Sequence, residues 1–221
     1  MLRRFALIWG LLWPVAAPAC DVALVLAVDV SGSIDPLEFK VQQTGLAAAL
    51  RDGAVVDALV TGEAAVAMLQ WTGEGRQALS VPWMRVRSGA EAEQLARAVE
   101  VAPRRWDMYS TAIGDAMVAS RQLFRDAPDC RRRIVDISSD GISNEGGAPS
   151  GARAILAGAG ITVNALVIET DEIDLTAYFR KNVITGAGAF VVTANGFEDY
   201  PGRIRQKLIR ELAVQVSGLG P

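Results

Sequence analysis

Val28-Asp29-Val30-Ser31-Gly32-Ser33 closes an apolar run, and the fold expected for this chain follows from that junction. Val22 to Val28 is unbroken aliphatic sequence, the pattern of a strand buried on both faces of a parallel sheet. A carboxylate follows it, then two hydroxyls at alternate positions and a glycine that lets the backbone turn. Asp35-Pro36-Leu37-Glu38 reads as a helix start, with Asp35 as N-cap, Pro36 as first helical residue and Glu38 closing a capping box. The polar cluster therefore sits between a central strand and the next helix, outside the carboxyl ends of the strands, where open α/β sheets bind ligands.

The same alternation runs through the rest of the chain. A helix is expected to about Leu50 with Leu37, Val41, Thr44 and Ala48 on one face, then a short continuation over Ala54–Val60. Strands are expected over Ala64–Trp71 and Arg76–Trp83, the second an antiparallel edge strand because of Pro82 and the short connection. Ser88 caps a helix over Ala90–Val101. The loop Arg104–Tyr109 leads to Ser110-Thr111 and a helix over Ala112–Arg125 that buries Ile113, Met117 and Phe124. Ile134–Ser139 is a strand ending at Asp140-Gly141, followed by the loop Ser143-Asn144-Glu145-Gly146-Gly147. Helix Ala152–Ala159, strand Ile161–Ile168, helix Leu175–Val183 and strand Ala189–Thr193 come next. Phe197–Val216 is an amphipathic helix with Ile204, Leu208 and Leu212 inward and Arg203, Lys207 and Arg210 outward. This is an α/β fold of the doubly wound, Rossmann-like kind: a mostly parallel central sheet, one antiparallel edge strand, helices on both faces.

Composition narrows the chemistry. The 221 residues carry a net charge of −3, with three tyrosines and six phenylalanines, which argues against nucleic acid as a partner. Histidine is absent, which removes Ser-His-Asp and Cys-His nucleophile systems and histidine-bearing zinc sites. Residues 1–19 read as a signal peptide, with Arg3-Arg4, an apolar stretch Phe5–Ala17 and the small-residue site Ala17-Pro18-Ala19. The stretch is short for a membrane span. The mature chain is expected to be 20–221, one domain, exported to the periplasm or secreted. A lipid on Cys20 is the weaker reading, because Ala17-Pro18 stands where a large aliphatic residue is expected.

Export makes Cys20 and Cys130 a candidate disulfide. Cys20 lies nine residues before Asp29 and Cys130 ten before Asp140. If those aspartates end neighbouring parallel strands, both cysteines fall at the opposite edge of the sheet. The bridge would close a loop of roughly a hundred residues, worth up to about 4–5 kcal/mol in the chain-entropy model. Unpaired thiols are the plain alternative.

Three separated pieces then carry oxygen ligands at strand ends: Asp29, Ser31 and Ser33; Thr111; and Asp140. Each alone has an ordinary explanation as a turn, an N-cap or an Asp-Gly bend. Together, in this order and spacing, they resemble the metal-ion-dependent adhesion site of the von Willebrand factor type A (VWA) family, and the likeness spans essentially the whole mature chain. It extends to bacterial, exported, single-domain members. The resemblance implies that Ser31, Ser33 and Thr111 ligate Mg²⁺ directly, with Asp29 and Asp140 as ligands or holding coordinated waters. Mg²⁺ suits such hard oxygen donors, with Mn²⁺ or Ca²⁺ as alternatives. It also implies that the first and fourth main strands are neighbours, as the disulfide requires, and that the function is capture of an Asp or Glu of a protein partner.

Two features depart from plain expectation. The family often has glycine just before the threonine, whereas Tyr109-Ser110 precede Thr111 here, so Tyr109 either shapes the rim or crowds it. Asp136 falls on the same side of its strand as Asp140 and is read as structural, needing a partner such as an arginine. Trp106, Tyr109, Asn144 and Glu145 are the candidate rim of a binding surface. Two other readings stay open: a scaffold whose metal only ties loops together, and a phosphohydrolase using Asp29 as phosphoryl acceptor. The latter is weakened because Ser31 stands where such enzymes place a second aspartate.

Overall fold

The computed structural model describes residues 20–170 and 174–213, so the signal-peptide reading of residues 1–19 falls outside it. The elements follow the expected alternation: β1 (Cys20–Asp29), α1 (Pro36–Arg51), α2 (Gly53–Thr61), β2 (Ala65–Trp71), β3 (Gln77–Arg85), α3 (Gly89–Val101), α4 (Ile113–Leu123), β4 (Cys130–Ser139), α5 (Pro149–Gly158), β5 (Thr162–Glu169), α6 (Leu175–Asn182), β6 (Val191–Asn195) and α7 (Tyr200–Leu212). The sheet runs β3-β2-β1-β4-β5-β6, with every pairing parallel except β2–β3. The order reverses direction at β1 and β4, which places a crevice at the C-terminal ends of those two strands.

β1 is buried along its whole length because both faces are covered. Successive side chains point to opposite faces. Leu24, Leu26 and Val28 pack with Leu46 and Leu50 of α1, Leu95 of α3 and Ile204 and Leu208 of α7. Val25 and Ala27 pack on the other side with Ile113 and Met117 of α4, Leu156 of α5 and Phe179 of α6. At the far edge, Cys20 and Cys130 lie opposite each other in the β1–β4 register and form a disulfide, with Cα atoms 4.5 Å apart.

Helix α1 starts as expected: Asp35 accepts from the amides of Leu37 and Glu38, and Glu38 accepts from the Asp35 amide. Its buried face is a different one. Leu37 is 77 % exposed, and Gln42, Gly45, Leu46, Ala49 and Leu50 face inward. Close approach of α7 selects the small residues: a Cβ on Gly45 would stand 3.1 Å from Pro201. Phe124 is likewise only half-buried; it follows the end of α4 and packs on Trp83.

Lys207 corrects the reading of α7. Expected outward, it is completely buried, 2.5 Å from Asp136 and 2.6 Å from Glu211. This ammonium, rather than an arginine, is the partner that Asp136 requires. One cation between two buried carboxylates leaves excess negative charge, and burial, reinforced by Asp136, holds the Glu211 carboxyl well above the usual carboxylate range. Strand β4 also begins earlier than expected, because Arg131 and Arg132 converge on buried Asp21 next to the disulfide. α7 starts at Tyr200, and the expected helical residues 214–216 lie outside the described residues.

Candidate metal centre

The five residues singled out in the sequence meet at the crevice where β1 and β4 end. Asp29 terminates β1 and is fully buried; Ser31, Thr111 and Asp140 are buried as well, while Ser33 is exposed. The Ser33 hydroxyl donates to Asp140 Oδ1 at 2.8 Å and lies 3.3 Å from the Ser31 hydroxyl. Ser33, Thr111 and Asp140 line one cleft of about 430 Å³, together with Glu38, Gly141, Asn144 and Leu175.

Asp29 is held rigidly. Oδ1 accepts from the Ser31 amide at 2.8 Å and Oδ2 from the Ser139 hydroxyl at 2.5 Å. Ser139 thus belongs to the centre although the sequence reading passed over it. It sits immediately before Asp140, and the parallel β1–β4 register brings it beside Asp29. Burial, and then the charge of Asp140, push the Asp29 pKa up to about 7; the bonds from Ser139 and Ser31 only partly offset this.

Thr111 is fixed through its backbone. Its amide donates to Asn144 Oδ1 at 2.8 Å, and its carbonyl accepts from the Asn144 and Glu145 amides and the Ser143 hydroxyl. Its own hydroxyl makes no hydrogen bond to the described residues and faces Gly141, whose Cβ, if present, would lie 3.9 Å from it. Gly114 permits this arrangement. The loop after Asp140 passes so close to the start of α4 that a Cβ there would stand 2.1 Å from the Gly147 carbonyl oxygen.

Arg104 is a second residue that sequence reasoning missed. Its guanidinium donates to the carbonyls of Val30, Ser31 and Ile34, and to that of Trp106, so it staples the Asp-x-Ser-x-Ser loop to the loop before Thr111. The Gly32 amide adds a bond to the Tyr109 carbonyl. Of the four rim candidates, Asn144 lines the cleft and the other three stand outside it. Tyr109 stacks under Arg76, 4.0 Å from guanidinium to ring; Glu145 accepts from the Glu74 amide; and Trp106 is half-buried in its own loop.

The donor set fits a hard divalent cation. It holds two carboxylates and three hydroxyls from three chain segments, all oxygen, with a Thr111 hydroxyl that no described residue engages. Asp29 makes no ion pair with any described residue. A cation between Asp29 and Asp140 would balance their mutual repulsion.

A family profile described as protein of unknown function, DUF1194, matches residues 19–216. The chain belongs to the DUF1194 family. No curated protein matches the sequence. Among solved structures, this DUF1194 protein is similar to proximal thread matrix protein 1 from the mussel byssus, at 20% identity and a TM-score of 0.67, covering 90% of this chain and 49% of that one. The chain therefore spans about half the length of the mussel protein, a second structure of which has a zinc-occupied MIDAS motif (15% identity, TM-score 0.65, 87% and 46% covered). The vWF domain of the pilus tip protein Mfa5 from Porphyromonas gingivalis matches at 9% identity and a TM-score of 0.63, covering 92% and 99%. The fold is that of a VWA domain.

Proposed function

We propose that this DUF1194 protein is an exported, divalent-cation-dependent binding module that captures an acidic side chain of a protein partner. The observation that carries the reading is that Asp29, Ser31, Ser33, Thr111 and Asp140 gather where β1 and β4 end, with Ser33, Thr111 and Asp140 lining the cleft and Asp29 and Ser31 buried behind it. Ser31, Ser33 and Thr111 would hold the ion directly; Asp29 and Asp140 would ligate it or orient its waters. A Mg²⁺-type ion held by mostly neutral oxygens keeps enough positive charge to accept a carboxylate from outside. The chain's own part is to keep its oxygens in place before any ligand arrives, through Ser139, Asn144 and Arg104. Exposed Met108, Tyr109 and Ile142 lie on loops next to these residues and give a protein partner apolar surface to cover.

Burial of Asp29 speaks against the phosphohydrolase reading, because both its oxygens are occupied and neither reaches solvent for attack on phosphorus. The disulfide supports export to an oxidising compartment. Among the described residues, no helix is long and apolar enough to cross a membrane. Calorimetric titration of Mg²⁺ and Mn²⁺ into chelator-stripped protein tests the site, with Asp140→Ala as control. One-site binding lost in the variant is expected; no binding by the wild type at millimolar metal would overturn the reading. Metal binding without capture of any acidic peptide would favour a scaffold instead.

A further inference from the structure

The edge of the sheet opposite the metal centre carries a second cleft, of about 280 Å³. It is lined by Arg121, Phe124, Arg125, Arg133, Ala159 and Ile161. Arg121 lies in the last turn of α4 and Arg125 just beyond it; Arg133 comes from the first residues of β4, and Ala159 and Ile161 from the α5–β5 connection. Three guanidinium groups thus surround one opening whose remaining walls are apolar.

Among the described residues none of the three makes an ion pair with a carboxylate. Arg133 donates to the Ala159 carbonyl, and the Arg121 Nε is buried without any hydrogen-bond partner. Arg85 and Arg132 have buried Nε atoms too, but those guanidiniums meet Glu63 and Asp21, whereas Arg121 meets no carboxylate among the described residues and could take an anion. Helix ends do not supply the missing charge. The C-termini of α4 and α5 add only partial negative charge, and no carboxylate lines the cleft. The chain as a whole is net negative, so this concentration is local.

We propose that the cleft is a binding site for a phosphate-bearing ligand. The guanidinium forks would hold the phosphate oxygens, and Phe124, Ala159 and Ile161 would receive the apolar part of the molecule. Planar guanidinium groups match phosphate oxygens in pairs, for a monoester dianion and a diester monoanion alike. The phosphate is supplied either by a small soluble ester or by a lipid headgroup, and the two are separable by experiment.

Phenyl phosphate is titrated calorimetrically into metal-free protein at low ionic strength, so that the other edge of the sheet offers no cation. One-site binding is expected, weakened about tenfold by Arg125→Gln and further by the Arg121→Gln, Arg125→Gln double variant. Arg125 is exposed beyond its helix, so the single variant keeps the fold, as circular dichroism would verify. Asp140→Ala should bind phenyl phosphate like the wild type, and phenol should not bind. In a parallel arm the protein is sedimented with phosphatidylglycerol or phosphatidylcholine vesicles. Arginine-dependent binding to phosphatidylglycerol alone assigns the phosphate to a headgroup; binding of phenyl phosphate alone assigns it to a soluble ester. No binding in either arm, or equal binding by wild type and double variant, overturns the proposal.

Discussion

Asp29→Asn tests the electrostatics of the centre without any partner in hand. In the metal-free protein the Asp29 pKa is raised from 3.8 to about 7, by burial first and by Asp140 second. The folded chain therefore keeps this proton at pH values where the unfolded chain has released it. Stability falls as pH rises from about 4 and levels off above about 7, because the folded state binds more protons throughout that interval. For this one group the whole span amounts to about 4 kcal/mol. The asparagine removes the ionisation and keeps the shape. Its amide oxygen can accept from the Ser31 amide as Oδ1 does, and its amide nitrogen can donate to the Ser139 hydroxyl. Urea unfolding in chelator at pH 5 and pH 8 compares the two proteins, and groups common to both cancel. The wild type should lose about 2–3 kcal/mol more than the variant between these pH values. Saturating Mg²⁺ at pH 8 should restore the wild type and leave Asp29→Asn unchanged. Equal pH slopes for the two proteins would refute the reasoning.

Other substitutions probe the parts that support the centre. Lys207→Met strands Asp136 and Glu211 without their cation, and urea unfolding should show a loss of about 3–5 kcal/mol; a loss below about 1 kcal/mol would mean that a proton shared by the two carboxylates suffices. Gly114→Ala drives a methyl group into the Gly147 carbonyl, so it should cost about 1–3 kcal/mol and weaken Mn²⁺ binding through the loop that holds Thr111; unchanged affinity in calorimetry would show that this loop does not set the site. Paired Cys20→Ser and Cys130→Ser changes open a link across 110 residues and should lower stability by about 4–5 kcal/mol, read as a shift in denaturation midpoint that reductant reproduces in the wild type.

Much of the fold was legible because its signals are local. The aliphatic run before Asp29, the Asp35 capping box, the Ser88 cap and Pro82 in an edge strand each act over a few residues, and each stands where expected. The misreadings have a common origin. Leu37 is apolar yet exposed, and Lys207 is charged yet buried. Residue type gives the intrinsic preference, but α7 crossing α1 at Gly45 and Asp136 rising from β4 determine which side of each helix is covered.

The candidate centre divides in the same way. The order and spacing of Asp29, Ser31, Ser33, Thr111 and Asp140 along the chain marked them as a set through their resemblance to the VWA adhesion site, and their all-oxygen donor chemistry agrees with a hard cation. What the sequence could not reveal is what holds them. Ser139 reaches Asp29 only because β1 and β4 run side by side, and Arg104 reaches three carbonyls of the Asp29–Ile34 segment across 70 to 74 residues of chain. The opposite cleft has no motif at all, since Arg121, Arg125 and Arg133 come together only when α4 is packed beside β4. Ligand type is a matter of side-chain chemistry and is written locally. Position and protonation depend on burial and on neighbours distant in sequence, so only the tertiary structure decided them.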